Sequence, residues 1–292
     1  HNWQSDQVVK TPDALRMSLE PPGTGAAWLD PDVAPHGVFK DPLAARIDAR
    51  AYRRALAVQC ADLPMCAALF NHALVSLDHT ARRAQIAATD GMGTVQVDYH
   101  IVLMAAGFRG FELLERHFAL ELGFGVHGEA AVFQLAPDAA NDLEEAPIIY
   151  DDGTYVVAHG GGRVAVGSTS ARHFTEANGV APEMPAFIAR AQALCPPLRN
   201  AALIERWAGV RPKCVAREPV AGLWPETPGL AVLTGGFKIS LGVAHYLAQA
   251  AVAGMVGDLN DPALAALPPT WHPLHHLPGH QLPGHQLPAQ NA

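Results

Sequence analysis

The stretch 228–258, PGLAVLTGGFKISLGVAHYLAQAAVAGMVGD, decides how the chain is read. Pro228-Gly229 is a turn signal, and Leu230-Ala231-Val232-Leu233 is an apolar run of strand length. Thr234-Gly235-Gly236 follows, where two glycines tolerate positive φ and let backbone approach a ligand closely. Beyond it Leu241, Ala244, Leu247, Ala248, Ala251, Val252 and Met255 recur at helical spacing, and Gly257-Asp258 ends the run. A strand that closes on glycines and feeds a helix aims free N–H groups at its loop, which suits an anion or an electron-rich ring edge. An ordinary strand–turn–helix packing unit carries the same pattern.

Around that stretch, 292 residues with 49% hydrophobic and 16% charged side chains describe a globular chain able to bury a real core. A formal net charge of −8 argues against nucleic acid as a partner, because phosphate neutralisation needs clustered Lys and Arg. A membrane span is not expected, since the best candidate, Gly242 to Gly257, is short and broken by His245 and Gln249. Cys60, Cys66, Cys195 and Cys214 have neither metal-ligand nor CxxC spacing. They read as reduced thiols in a reducing compartment, the cytoplasm. The opening HNWQSDQ has no Met and no charged-then-apolar leader.

Upstream, prolines at 12, 21, 22, 31 and 35 predict irregular chain with one short strand. Asp48 to Gln59 reads as a helix capped by Asp48, with Tyr52, Ala55, Leu56 and Gln59 on one face. Leu69 to Leu77 and Gln85 to Val97 have strand character, the latter with a turn at Asp90–Gly93. The run HIVLMAAG, 100–107, predicts a strand buried on both faces, followed by a helix over FELLERHF. Ala130 to Ser168 alternates as hairpins, with turns at Asp151-Asp152-Gly153 and Gly160-Gly161-Gly162. A helix over 182–194 and a strand over 202–209 come next. Residues 261–292, with the repeat LPGHQLPGHQLP, predict a disordered tail whose histidines are solvated; no metal site is expected.

Two glycine motifs fail on context. Gly123-Phe124-Gly125-Val126-His127-Gly128 satisfies GxGxxG, but the residues after it alternate instead of forming a long helix. Gly160 to Ala165 matches a looser form and reads as a hairpin turn. No GxSxG, HExxH, phosphate loop or paired-cysteine zinc pattern occurs.

Several segments in order resemble the FAD-dependent oxidoreductases of the D-amino-acid oxidase and glycine oxidase type. Tyr155-Val156-Val157 with Gly162-Arg163-Val164-Ala165-Val166-Gly167-Ser168-Thr169 is similar to a hairpin of that family. Glu205-Arg206-Trp207-Ala208-Gly209-Val210-Arg211-Pro212 resembles its WAGLRP segment. Pro219-Val220-Ala221-Gly222 followed by Pro228-Gly229-Leu230, then Thr234-Gly235-Gly236-Phe237-Lys238, resembles its flavin-contacting C-terminal part. Val102-Leu103-Met104-Ala105-Ala106-Gly107 resembles the strand beneath the cofactor.

The resemblance implies a mixed α/β (α+β) fold, with a partial Rossmann-like FAD-binding domain intertwined with an antiparallel-sheet substrate domain. The first is expected over 38–116 and 208–260, the second over 12–37 and 117–207. The family's opening GxGxxG unit would lie upstream of His1, so a truncated chain is expected. The implied chemistry is oxidation of a C–N bond by hydride transfer to the flavin, with oxygen or a quinone as electron acceptor. Arg211 is expected to clamp a substrate carboxylate, with a structural salt bridge as the alternative, and Tyr155 reads either as strand packing or as a residue that reaches the substrate. Ala106, Gly107, Thr234, Gly235, Gly236, Phe237 and Lys238 are expected against the cofactor. Cys214 is out of register with covalent flavin attachment, so the FAD would be non-covalent. A cofactor-free remnant and a flavin dehydrogenase of 2-hydroxy acids are the alternatives.

Overall fold

The computed structural model describes residues 17–137, 143 and 145–277. Along the chain the strands are β1 Ser18–Glu20, β2 Val38–Lys40, β3 His72–Asp78, β4 Arg83–Ala88, β5 Thr94–Asp98, β6 Val102–Met104 and β7 Gly123–Gln134. After them come β8 Ile149–Asp151, β9 Thr154–His159, β10 Arg163–Gly167, β11 Ala202–Cys214, β12 Val220–Leu223 and β13 Leu230–Thr234. The helices are α1 Ala49–Ala61, α2 Arg109–Phe118, α3 Met184–Leu194, α4 Ser240–Val256 and α5 Pro262–Ala265. The fold is mixed α/β, as expected.

Two compact units divide the chain. One takes the described residues up to Ala55 with His127–Gly209, the other Leu56–Val126 with the described residues from Val210 onward. The divisions expected at 117 and 208 lie at 127 and 210, and residues 38–55 join the first unit.

In the first unit the strands run in the order β11-β7-β10-β9-β8, with antiparallel pairing of β10 to β7 and to β9. The period of two sends Val156, Ala158, Val164 and Val166 inward with Phe133, against Met184, Ala191 and Leu198 from α3 and the turn after it. Each such side chain stabilises by about 1.5–3 kcal/mol on burial. Gly123–Gly128 lies within β7, which is why its GxGxxG spelling carries no nucleotide loop.

The second unit holds two three-stranded sheets, β3-β4-β5 and β12-β13-β6. β13 is fully apolar at Leu230, Ala231 and Val232, all 0% exposed, and pairs parallel with β6 and antiparallel with β12. Met104, Phe111, Leu114, Leu122, Val220 and Trp224 close the core around it.

Several expectations need correction. β6 is only three residues long, and Val102 and Leu103 are half-buried rather than buried on both faces. α1 is capped by Asp48, which accepts from Arg50 and Ala51 N–H, but it buries none of its residues. α4 ends at Gly257 as read, yet it buries Leu247, Ala250, Ala251 and Ala253, while Leu241 and Val252 stay 46% and 47% exposed. A helix apolar all round has no periodicity that names its buried face. The span Phe237–Val256, at mean hydropathy 1.4, is also long and apolar enough by composition to cross a membrane. Here α4 packs on β12 and β13. The chain past Asp261 is not unstructured through 277: α5 and two 3-10 turns form there, and Pro273 and His276 are buried. The repeat from 278 lies outside the described residues.

Candidate functional site

The parallel pair β6–β13 sets the geometry in the second unit. In open α/β sheets ligands bind beyond the carboxyl ends of parallel strands. At that end Thr234 Oγ1 donates to Gly107 O at 3.3 Å, tying the two loops together. Gly107 has φ +60°, and a Cβ added there would meet no atom within 4 Å. The turn after β6 therefore faces open space, with Ala106 exposed beside it. A hollow of about 520 Å³, lined in part by Arg82, Trp224, Pro228 and Gly229, lies at the opposite, amino ends of the same strands.

The two glycines after β13 serve a different purpose from the one read in the sequence. A Cβ on Gly235, at φ +81°, would stand 2.2 Å from Cys214 Sγ. A Cβ on Gly236 would stand 2.7 Å from Ser240 Oγ. Both glycines are buried, and their missing side chains are demanded by the protein's own packing. What the loop presents outward begins at Phe237, itself at φ +43°. From there a 3-10 turn, Phe237–Ile239, in which Ile239 N–H donates to Gly236 O at 2.9 Å, runs into α4, whose positive dipole end lies at this turn.

Three cations meet at this turn. β11 continues past the expected end at 209, and Arg211 and Lys213 project from the same side of it. A bridge between Lys213 and Gly236 fixes that strand end beside the glycine loop. Lys213 Nζ lies 5.1 Å and Lys238 Nζ 5.9 Å from the centroid of the Phe237 ring, a cation–π arrangement on both counts. Burial, then the positive charges of Arg211 and Lys213, hold the Lys238 ammonium below the ordinary lysine range. Burial also lowers Arg211, which is half-buried. Lys213 was not among the residues singled out in the sequence. The alternation from Arg211 points to it, but Pro212 reads as the end of a strand; β11 is an edge strand of its sheet, where proline is tolerated.

The structure thus gathers Arg211, Gly107, Thr234, Gly235, Gly236, Phe237 and Lys238 in one unit. Tyr155 belongs to the other unit, on the sheet face away from the core, 40% exposed and 4.5 Å from the Tyr150 ring. Burial pushes the Cys214 thiol up to about 12, so it stays protonated at neutral pH. Among the described residues no three His, Cys, Asp or Glu side chains converge as a metal site.

A family model described as FAD dependent oxidoreductase matches residues 7–250. No curated protein sequence matches the chain. Solved structures do, at the level of the fold. Glycine oxidase from Geobacillus kaustophilus superposes with a TM-score of 0.74 at 21% identity, over 88% of this chain and 69% of that one. Iminodiacetate oxidase from Chelativorans sp. BNC1 gives 0.70 at 20%, over 87% and 67%. L-proline dehydrogenase from P. horikoshii gives 0.71 at 14%, over 94% and 74%.

Proposed function

The chain belongs to the FAD dependent oxidoreductase family, and on that premise we propose that it oxidises the C–N bond of an amino acid or related amine. The site at the carboxyl ends of β6 and β13 suits FAD: open space over Gly107, the positive dipole end of α4, and the Lys213 and Lys238 ammoniums 5.1 and 5.9 Å from the Phe237 ring. When bound non-covalently, FAD supplies the two-electron acceptor for the hydride leaving the carbon that bears nitrogen. Water then converts the resulting imine to an oxo product, releasing ammonia or an amine. Dioxygen or a quinone takes the two electrons on.

The protein's share is positioning and electrostatics. Arg211 holds the substrate carboxylate, for which a planar bidentate donor is well shaped. Gly107 and Ala106 leave room for the cofactor, and Thr234 fixes the Gly107 loop. The start of α4 and the Lys238 ammonium would offset negative charge gathering on the flavin as it is reduced. Gly235 and Gly236 act through Cys214 and Ser240, which set where that turn lies. The names of the superposing structures, two amino-acid or amine oxidases and a proline dehydrogenase, support this substrate class.

The observation that carries the proposal is the half-buried Arg211 placed next to the loop that starts α4. The test is anaerobic bleaching of the FAD band by a panel of amino acids, amines and 2-hydroxy acids. Bleaching by amino acids, lost in Arg211→Met while FAD stays bound, is expected. Bleaching by 2-hydroxy acids alone would overturn the amine reading.

A further inference from the structure

We infer that residues 262–277 form a strap that sets where the loop before α4 stands, with Trp271 and His276 as positioning residues for the flavin that this loop meets. The inference rests on the flavin reading of that site and concerns what holds the site in place. The strap lies beyond the residues 7–250 matched by the family model. It starts pinned to α4: Asp261 caps α5 by accepting Ala263 N–H at 2.8 Å, and the same carboxylate accepts from Gln249 Nε2 at 3.1 and 3.2 Å. It ends on the turn 214–219 that joins β11 to β12. There Trp271 Nε1 donates to Glu218 Oε2 at 2.7 Å, and His276 Nε2 lies 3.2 Å from Pro219 O. A carbonyl can only accept, so the His276 ring donates from Nε2. Between those two bonds Pro273 is buried, close enough to β12 that a Cβ on Gly222 would stand 3.4 Å from its Cδ.

The strap acts through that turn. Arg217 N–H donates to Cys214 O at 3.0 Å within it, and Arg217 sits at φ +68°, a left-handed conformation that is costly for a side chain with a Cβ. Such a turn keeps its shape because the structure around it holds it there. On one side it is held by Trp271 and His276. On the other, the Glu218 carbonyl oxygen lies 3.5 Å from where a Cβ on Gly235 would stand, and Lys213, just before the turn, bridges to Gly236. The contacts close a ring: glycine loop, α4, strap, turn and glycine loop again. Packed elements joined in a ring shift together, so displacing the loop loosens the strap. By reciprocity, a ligand that fixes the loop tightens the strap by the same factor.

Hydrogen exchange read by mass spectrometry, with and without FAD, tests this. Trp271→Phe keeps an aromatic ring and removes the N–H; His276→Leu removes the other bond, and His276→Gln restores a donor near the Nε2 position. In the FAD-free chain, exchange at 235–239 is expected to rise about tenfold in Trp271→Phe and His276→Leu, one hydrogen bond's worth, and to return in His276→Gln, with β9 and β10 unchanged. Should His276→Leu not fold, Trp271→Phe alone decides. In the wild type, saturating FAD is expected to slow exchange of the strap amides of His275 and Leu277, which donate to His272 O and Leu274 O, by about threefold or more. Trp271→Phe is expected to weaken FAD by a similar factor. Loop exchange that stays at the wild-type rate, or that rises equally in β9 and β10, overturns the inference, as does equal FAD affinity of Trp271→Phe and the wild type. If the wild type takes up no FAD, the flavin reading fails, and loop exchange in the FAD-free variants still decides whether the strap holds the loop.

Discussion

Arg206 Nε donates to Glu129 Oε1 at 2.6 Å, and that carboxylate is 2% exposed. The other oxygen accepts Ala181 N–H at 2.6 Å, and Thr169 Oγ1 accepts Glu129 N–H at 2.9 Å. Arg206 belongs to the segment that resembled a family motif, and its partner explains it as structure. Removing the guanidinium strands a buried charge. Arg206→Met is expected to cost about 3–5 kcal/mol, read from urea unfolding. Adding Glu129→Gln should recover part of that loss, since a neutral amide is cheaper to leave there; simple additivity of the two changes would contradict the account.

Gly235 and Cys214 form a second long-range pair, this one beside the candidate site. Gly235→Ala combines left-handed strain with a Cβ forced against Sγ, for a cost of about 2–4 kcal/mol. In a Cys214→Ala background the sulfur is gone and the cost should fall to the backbone share, about 1 kcal/mol. Thermal melts of the four proteins measure this. An unchanged cost in the second background would show that the contact is not what requires glycine.

Lys238 predicts a direction in alkaline titration. Its folded-state pKa lies below the unfolded value, so the unfolded chain binds the proton more tightly. Keeping Lys238 charged therefore opposes folding at neutral pH, and the opposition lifts as pH rises from the lowered pKa towards 10.5. Lys238→Met should match or exceed the wild type in melting temperature at pH 7, with the gap closing by about pH 10.5. FAD binding should move the opposite way, weaker in the variant. A variant less stable than wild type at pH 7 and equal to it at high pH would refute the sign.

The thiols predict a labelling pattern. Cys60 and Cys66 are exposed, whereas burial raises Cys195 to about 11 and Cys214 to about 12. At neutral pH iodoacetamide should modify Cys60 and Cys66 in the folded protein and all four cysteines in urea. Peptide mass spectrometry reads this directly, and rapid native labelling of Cys214 would contradict its place in the core.

The parts legible in the sequence were those written locally. Leu230–Leu233 between a Pro-Gly turn and glycines could only be a short buried strand, and Gly257 stops α4 in a left-handed cap at φ +77°. The alternation of Val156, Ala158, Val164 and Val166 marked the hairpins for the same reason. What depended on distant contacts was not legible. Gly235 looked like a ligand-approach glycine because Cys214, its actual neighbour, lies far back in the chain. Lys213 was hidden behind Pro212, and 3-10 turns past Asp261 were hidden by proline density, which forbids long helices but suits short turns that begin on proline.

FAD titration of the wild-type chain beside Gly107→Ala bears on all of this. An added Cβ at Gly107 meets no protein atom within 4 Å, so the substitution touches the fold only through its φ of +60°. If the flavin occupies the space beyond β6 and β13, the wild type binds FAD with a shifted visible band, and Gly107→Ala binds it about tenfold more weakly or worse. Equal affinity of the two proteins, or no uptake of FAD by the wild type, would contradict the placement of the cofactor at that end of the sheet.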